Sequence, residues 1–192
     1  MIAPVVVKVG GSLYDLADLG PRLQRWLEGL VDNLVLLVPG GGPMVDVLRD
    51  LDRKHRLGQE TSHELAVRML AVNARFLAAL VKQSLVVDSL DACCAVWDQH
   101  GIPILDCHVF LCAGSEREAI LPHSWDTTSD SIAAYVAWRA GAQRLVLLKS
   151  TDDPTNGDWS EAARLGIIDP WFARFVGSDV AVEVVNLRHW PA

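Results

Sequence analysis

Two glycine-rich segments, two lysines and one aspartate carry the chemistry that can be read from this sequence. The first segment is Lys8-Val9-Gly10-Gly11-Ser12, which closes the apolar run Val5-Val6-Val7. A lysine inside such a run is costly to bury unless it meets an anion. Paired glycines let backbone N–H groups approach a ligand closely. Together they indicate a phosphate-handling site in which Gly10, Gly11 and Ser12 donate to phosphate oxygens and Lys8 neutralises charge as a phosphoryl group moves. The second segment is Gly40-Gly41-Gly42-Pro43, after the apolar run at 34–38. Proline suits the first turn of a helix, and a helix N-terminus preceded by free amides takes anions. Gly40, Gly41 and Gly42 are therefore read as substrate-binding.

The third constellation is Trp125-Asp126-Thr127-Thr128-Ser129-Asp130-Ser131, and the fourth is Lys149 at the end of Leu145-Val146-Leu147-Leu148. A carboxylate between two ammonium groups would hold both in place and keep them protonated, which gives Asp130 a role between Lys8 and Lys149. Each feature has a plainer reading: a surface lysine at a strand end, a flexible turn, a cluster of helix-capping residues, a lysine snorkelling to the sheet rim. Neither glycine segment is GxxxxGK[ST] or GxGxxG, which disfavours a P-loop hydrolase and a Rossmann oxidoreductase.

These residues need a scaffold, and the chain alternates strand and helix. Strands are expected at Val5–Val9, 34–38, 85–88, 103–106, 109–112, Arg144–Lys149 and Ala181–Asn186. The first helix begins near Pro21 behind Asp18. A second runs from Met44 towards Leu51. A long helix over 61–83 would open with a Thr61/Glu64 capping box and bury Leu65, Met69, Val72, Phe76 and Leu80, leaving His63 and Arg68 on its solvated face. Ser89 caps another helix, and 129–141 forms an amphipathic one. The polar stretch 152–158 is a loop. Trp159, Trp171 and Trp190 pack the C-terminal part. Near-continuous Val/Leu strands between helices indicate an α/β fold with a mainly parallel sheet covered on both faces. Ligands of such sheets sit at the carboxyl ends of the strands, where Lys8-Gly10-Gly11, Gly40–Gly42, Asp106 and Lys149 all fall.

The 192 residues are expected to form a single domain, 1–192. A net charge of −7 disfavours a nucleic-acid partner. No apolar run has the length of a membrane span. The four cysteines contain no CxxC pair, which points away from zinc and towards reduced thiols in the cytoplasm.

The motif set Lys8-Val9-Gly10-Gly11-Ser12, Val38-Pro39-Gly40-Gly41-Gly42, Thr128-Ser129-Asp130 and Leu147-Leu148-Lys149-Ser150-Thr151-Asp152 resembles the amino acid kinase family, in order and in spacing, over about 4–155. The resemblance implies a three-layer αβα sandwich, ATP with Mg²⁺ arriving on the nucleotide, a small phosphorylated or carboxylate acceptor, and a homo-oligomer such as a dimer. It implies that Lys8 stabilises the transferring phosphoryl group and that Gly10, Gly11 and Ser12 lie under the ATP phosphates. Gly40, Gly41 and Gly42 would bind the acceptor, Asp130 would organise the lysines, and Lys149, Ser150, Thr151 and Asp152 would begin the nucleotide pocket. Within the family the chain is most similar to archaeal-type kinases of methanofuran synthesis, which phosphorylate an aminomethyl-furan-methyl phosphate. It departs where many members carry a glycine-rich segment with a lysine: residues 158–176 contain no lysine, and Asp152-Asp153-Pro154-Thr155 replaces the usual Asp-Gly-Val-Tyr. A non-catalytic nucleotide or oxyanion binder of the molybdate-storage type is the alternative on the same fold.

Overall fold

The computed structural model describes residues 3–113, 121–176 and 179–191. Six strands form one sheet in the order β3-β4-β2-β1-β5-β6, namely β1 (Val5–Val9), β2 (Val35–Pro39), β3 (Ser84–Val87), β4 (Ile102–Leu105), β5 (Arg144–Lys149) and β6 (Ala181–Asn186). Every pairing among them is parallel. All residues of β1 and β2 are buried, as expected for strands covered on both faces. Helices α1 (Leu19–Glu28), α2 (Gly42–His55), α3 (Gln59–Leu80), α4 (Leu90–Trp97), α5 (Cys107–Ala113), α6 (Ser129–Arg139), α7 (Trp159–Arg164) and α8 (Phe172–Phe175) complete the α/β architecture.

The strand period of two decides which side chains meet which layer. Val5, Val7 and Val9 join Val146 and Leu148 in a core with Leu19, Leu23 and Leu27 of α1. Val6, Leu36, Leu145 and Leu147 form the opposite core with Ile132, Ala133 and Val136 of α6. Lys8 shares parity with Val6, and Lys149 with Leu145 and Leu147, so both lysines emerge under the start of α6. Lys8 pairs with Leu147 in the register, which sets Lys149 one pleat further along the neighbouring strand. Connections from β1 run to one side of it and β5 and β6 lie on the other. The carboxyl ends of β1 and β5 therefore form the topological switch point where such folds bind ligands.

Three expectations are corrected. Residues 109–112 lie in helix α5, not a strand, because Asp106 Oδ1 accepts from Val109 N at 3.2 Å and caps a helix there. Helix α3 begins earlier, at Gln59 after Gly58 (φ +85°), so no Thr61/Glu64 box forms and Glu64 pairs with Arg68 at 2.7 Å. Its inward face is Ser62, His63, Val67, Leu70, Asn73, Ala74 and Leu77, out of phase with the expected stripe; Val72 is exposed. Helix α6 is buried continuously from Asp130 to Ala137 rather than amphipathic, because it packs against α8 as well as against β1, β2 and β5. Trp159 packs the C-terminal part, edge-on to Phe172 at 5.5 Å, whereas Trp190 packs against the core around α1 instead.

Candidate active site

The carboxyl ends of β1, β2 and β5 open into a cleft of about 510 Å³, lined by Lys8, Gly10, Gly11, Ser12, Gly41, Gly42 and Lys149 among others. Thr128 caps α6, its Oγ1 accepting from Asp130 N at 3.2 Å, and this turns the Asp130 side chain towards the sheet. Asp130 Oδ1 lies 2.9 Å from Lys8 Nζ and Oδ2 lies 2.6 Å from Lys149 Nζ. All three are buried, with Lys8 4%, Asp130 5% and Lys149 8% exposed. Burial alone would raise the Asp130 carboxyl, but the two ammonium groups outweigh it and hold it below the ordinary carboxylate value. Burial is also the largest influence on Lys149, with Lys8 adding to it; Asp130 offsets them only in part, and the ammonium is lowered to about 8. Lys149 Nζ makes a further bond to the Ile167 carbonyl at 2.6 Å. Two ammonium groups sharing one carboxylate leave a net positive charge at the cleft, in surroundings where charge acts strongly.

The two glycine segments touch each other. A Cβ on Gly11 would fall on the backbone nitrogen of Gly42, and one on Gly40 would fall on that of Gly11. Gly42 also has φ +59°, in the left-handed region that favours glycine. Of the expected phosphate donors, Gly10 N–H is already committed to the Leu148 carbonyl at 2.8 Å. Gly10 thus serves the close passage of β1 beside β5, while Gly11 and Ser12 face the cleft. Gly40 lies behind the cleft surface: its N–H donates to the Tyr14 hydroxyl at 3.0 Å, and its carbonyl accepts from Tyr14 at 3.2 Å and from Asn73 Nδ2 at 2.7 Å. Asn73 Nδ2 also reaches the Gly41 carbonyl at 2.7 Å. Burial pushes the Tyr14 hydroxyl up, so it remains protonated.

Just past the end of β5, Ser150 Oγ lies 2.8 Å from Ser12 Oγ. Thr151 and Asp152 are exposed and outside the cleft lining; Asp152 Oδ1 accepts from Asn186 Nδ2 at 3.0 Å. Asp106 is not part of the cleft. It lies on β4's end, separated from β1 by β2, and its Oδ2 accepts from Arg75 at 3.1 Å.

Several residues of the cleft escape sequence reasoning. His63 is buried rather than solvated, lines the cleft and stacks on His123 with ring centroids 4.8 Å apart. Burial first and His123 second lower its pKa, which favours the neutral imidazole. Arg49 lies over the Trp125 ring at 5.0 Å, and Trp125 Nε1 donates to Asp52 Oδ2 at 2.8 Å. Arg188 reaches back from the C-terminal segment to the Ser12 carbonyl at 3.0 Å and Asp15 Oδ1 at 2.7 Å. Helical spacing could have flagged Arg49, one and two turns from Asp46 and Gly42 on the same face of α2; nothing local marks Arg188, 176 residues from Ser12.

Comparison with known proteins bears on the family and the fold. The family model described as the amino acid kinase family matches residues 3–158. The [5-(aminomethyl)furan-3-yl]methyl phosphate kinase of Methanocaldococcus jannaschii is 26% identical over 150 residues, covering 77% of this chain and 66% of that protein. The chain thus spans just under two thirds of that relative's length. Among solved structures, uridylate kinase from Archaeoglobus fulgidus superposes with a TM-score of 0.68 at 14% identity, over 95% of this chain and 90% of that one. Carbamate kinase from Giardia lamblia, bound to AMP-PNP, gives 0.52 at 11% identity, over 97% and 93%. At these identities the structural likeness is one of fold.

Proposed function

The chain belongs to the amino acid kinase family, and from that premise we propose that it is an ATP-dependent kinase transferring the γ-phosphoryl group to the phosphate of a small acceptor. The observation that carries this reading is the buried Asp130 carboxylate held between Lys8 and Lys149, two lysines that line a cleft flanked by two glycine-rich strand ends. The donor phosphates would lie over Gly11 and Ser12, beside Lys149 and Ser150. The acceptor would lie against Gly41 and Gly42 at the start of α2, with Lys8 between the two. An acceptor phosphate is already ionised at neutral pH, so no strong base is required. One of its oxygens forms a bond to the γ-phosphorus as the bond from that phosphorus to the bridging oxygen of ADP breaks, and the electron pair leaves with ADP. Positioning and the ammonium groups facing the moving charge then do the work. Mg²⁺ would arrive with the nucleotide and share its charge; no protein ligand is assigned to it.

The Methanocaldococcus relative supports a ring-bearing monophosphate as acceptor, and with it a step in methanofuran-type C1-carrier synthesis. Trp125, Arg49 and Asp46 line the acceptor side and offer a flat ring, a cation and a carboxylate to such a molecule. The AMP-PNP held by the Giardia carbamate kinase supports ATP as donor. Calorimetry with Mg-ATP, followed by a transfer assay over aminomethyl-furan-methyl phosphate, UMP and isopentenyl phosphate, tests both parts. Binding of Mg-ATP and ADP release with the furan phosphate are expected. A folded protein that binds no Mg-ATP would overturn the kinase reading and leave the binding-protein alternative.

A further inference from the structure

Asp169 is a second buried carboxylate behind the site, 5% exposed, in the turn before α8. Its Oδ2 accepts from Thr128 N at 3.1 Å, Thr128 Oγ1 at 2.7 Å and Ser131 N at 3.0 Å. Its Oδ1 accepts from Ser131 Oγ, from Trp171 N at 3.0 Å and from Phe172 N at 3.1 Å. A local loop-closing carboxylate would need only the last two. The other four come from residues that bracket Asp130 on the first turn of α6. The same segment also supplies the Ile167 carbonyl to Lys149. An ionised carboxylate, which only accepts, suits six donors; an asparagine amide would set its NH₂ against three of them.

Resting on the kinase reading above, we propose that Asp169 is a positioning residue for phosphoryl transfer: it pins the first turn of α6 so that the Asp130 carboxylate holds Lys8 and Lys149 at the carboxyl ends of β1 and β5. Asp169 touches neither the cleft nor the lysines' heads; it acts through Asp130 and, across the interior, through its own charge on Lys149. Buried hydrogen-bonded networks of this kind fix geometry when every member is satisfied. The charged groups bearing on Lys149 are Lys8, Asp130 and Asp169, and of these Asp169 helps to keep Lys149 protonated.

The test compares Asp169→Asn with Ser131→Ala, which cuts one strut and changes no charge. Four readouts are taken: kcat per folded protein, KM for each substrate, thermal midpoint, and the Lys149 titration followed by ¹³Cε-lysine NMR. Asp169→Asn is expected to lower kcat by about tenfold or more with each KM within about threefold, because displacement of a positioned group acts on the transition state. Its Lys149 titration should move to lower pH. Ser131→Ala should lower kcat severalfold and leave that titration in place; if Asp169→Asn does not fold, this result decides. Wild-type kcat in a folded variant, or a loss that tracks the thermal midpoint with the Lys149 titration unmoved, would overturn the proposal. Should the wild-type protein show no Mg-ATP turnover, the kinase reading falls, and the NMR titration alone judges Asp169.

Discussion

The two rims of the cleft are built differently. The rim at Gly40–Gly42 is braced from behind by Tyr14 and Asn73 and interlocked with Gly11, backbone against backbone. The rim at Ser150–Asp152, which stands outside the cleft lining proper, rests on a hydroxyl pair and one exposed bond from Asn186. The first has no room to adjust; the second can shift at little cost. A kinase whose acceptor is small and specific gains from rigidity on the acceptor side, whereas a nucleotide brings many contacts of its own.

The comparison breaks most severely at the seam between the loops. Gly11→Ala sets a methyl group on Gly42 N, and no flexible side chain can yield. Soluble yield and thermal unfolding should show a protein that does not reach the native fold. Next comes Lys8, which stands between the rims. Lys8→Ala should lower kcat by about 10²–10³ while the fold persists, since Asp130 keeps Lys149. The charge centre then sharpens the contrast through pH. Lys149 is lowered from 10.5 to about 8 in the free protein. If its charged form is required, kcat/KM should fall as pH rises through about 8, the three coupled groups titrating as a unit. The same shift has the opposite sign for stability. Between about 8 and 10.5 the unfolded chain binds more protons at this group than the native one, so its contribution to stability increases with pH. Denaturant midpoints and rates measured over one pH series should therefore diverge.

The last two changes address each rim alone. Asn73→Ala removes the amide that holds two glycine carbonyls and should cost about 1–3 kcal/mol of stability. It should raise KM for the acceptor and leave KM for ATP near its wild-type value. Asp152→Ala, on the looser rim, should change stability by less than about 0.5 kcal/mol and either KM by less than about twofold. Equal effects of the two variants on KM for the acceptor would remove the distinction between the rims.

Much of this arrangement is legible in the sequence because it depends on local rules. Continuous apolar runs locate β1, β2 and β5, and with them the strand ends at which Lys8 and Lys149 stand; their common face follows only from the strand register. The caps around Thr128 place Asp130 at a helix start. What escapes is polar and long-range. The phase of α3 is misread because its inward residues include the polar Ser62, His63 and Asn73, of which His63 faces the cleft and Asn73 a glycine loop; apolar periodicity has no way to register that. The run at 109–112 looks like a strand until Asp106 is recognised as its cap. Asp169 depends on donors about forty residues away, and Arg188 on a carbonyl near the opposite end of the chain, so neither leaves a local pattern.

The contact of Gly11 with Gly40 and Gly42 has a wider consequence. Donor and acceptor, on the reading proposed here, lie astride a join made only of main chain. The distance across it is set by van der Waals radii and covalent geometry, with no side chain whose replacement could lengthen or shorten it. Such a join works as a fixed ruler between two guests. It also makes these glycines interdependent in descent: substitution at any one of them meets a partner that has nothing left to trim. New acceptors could then be reached by altering the walls around Trp125 and Arg49, and the gap that the phosphoryl group crosses would stay the same.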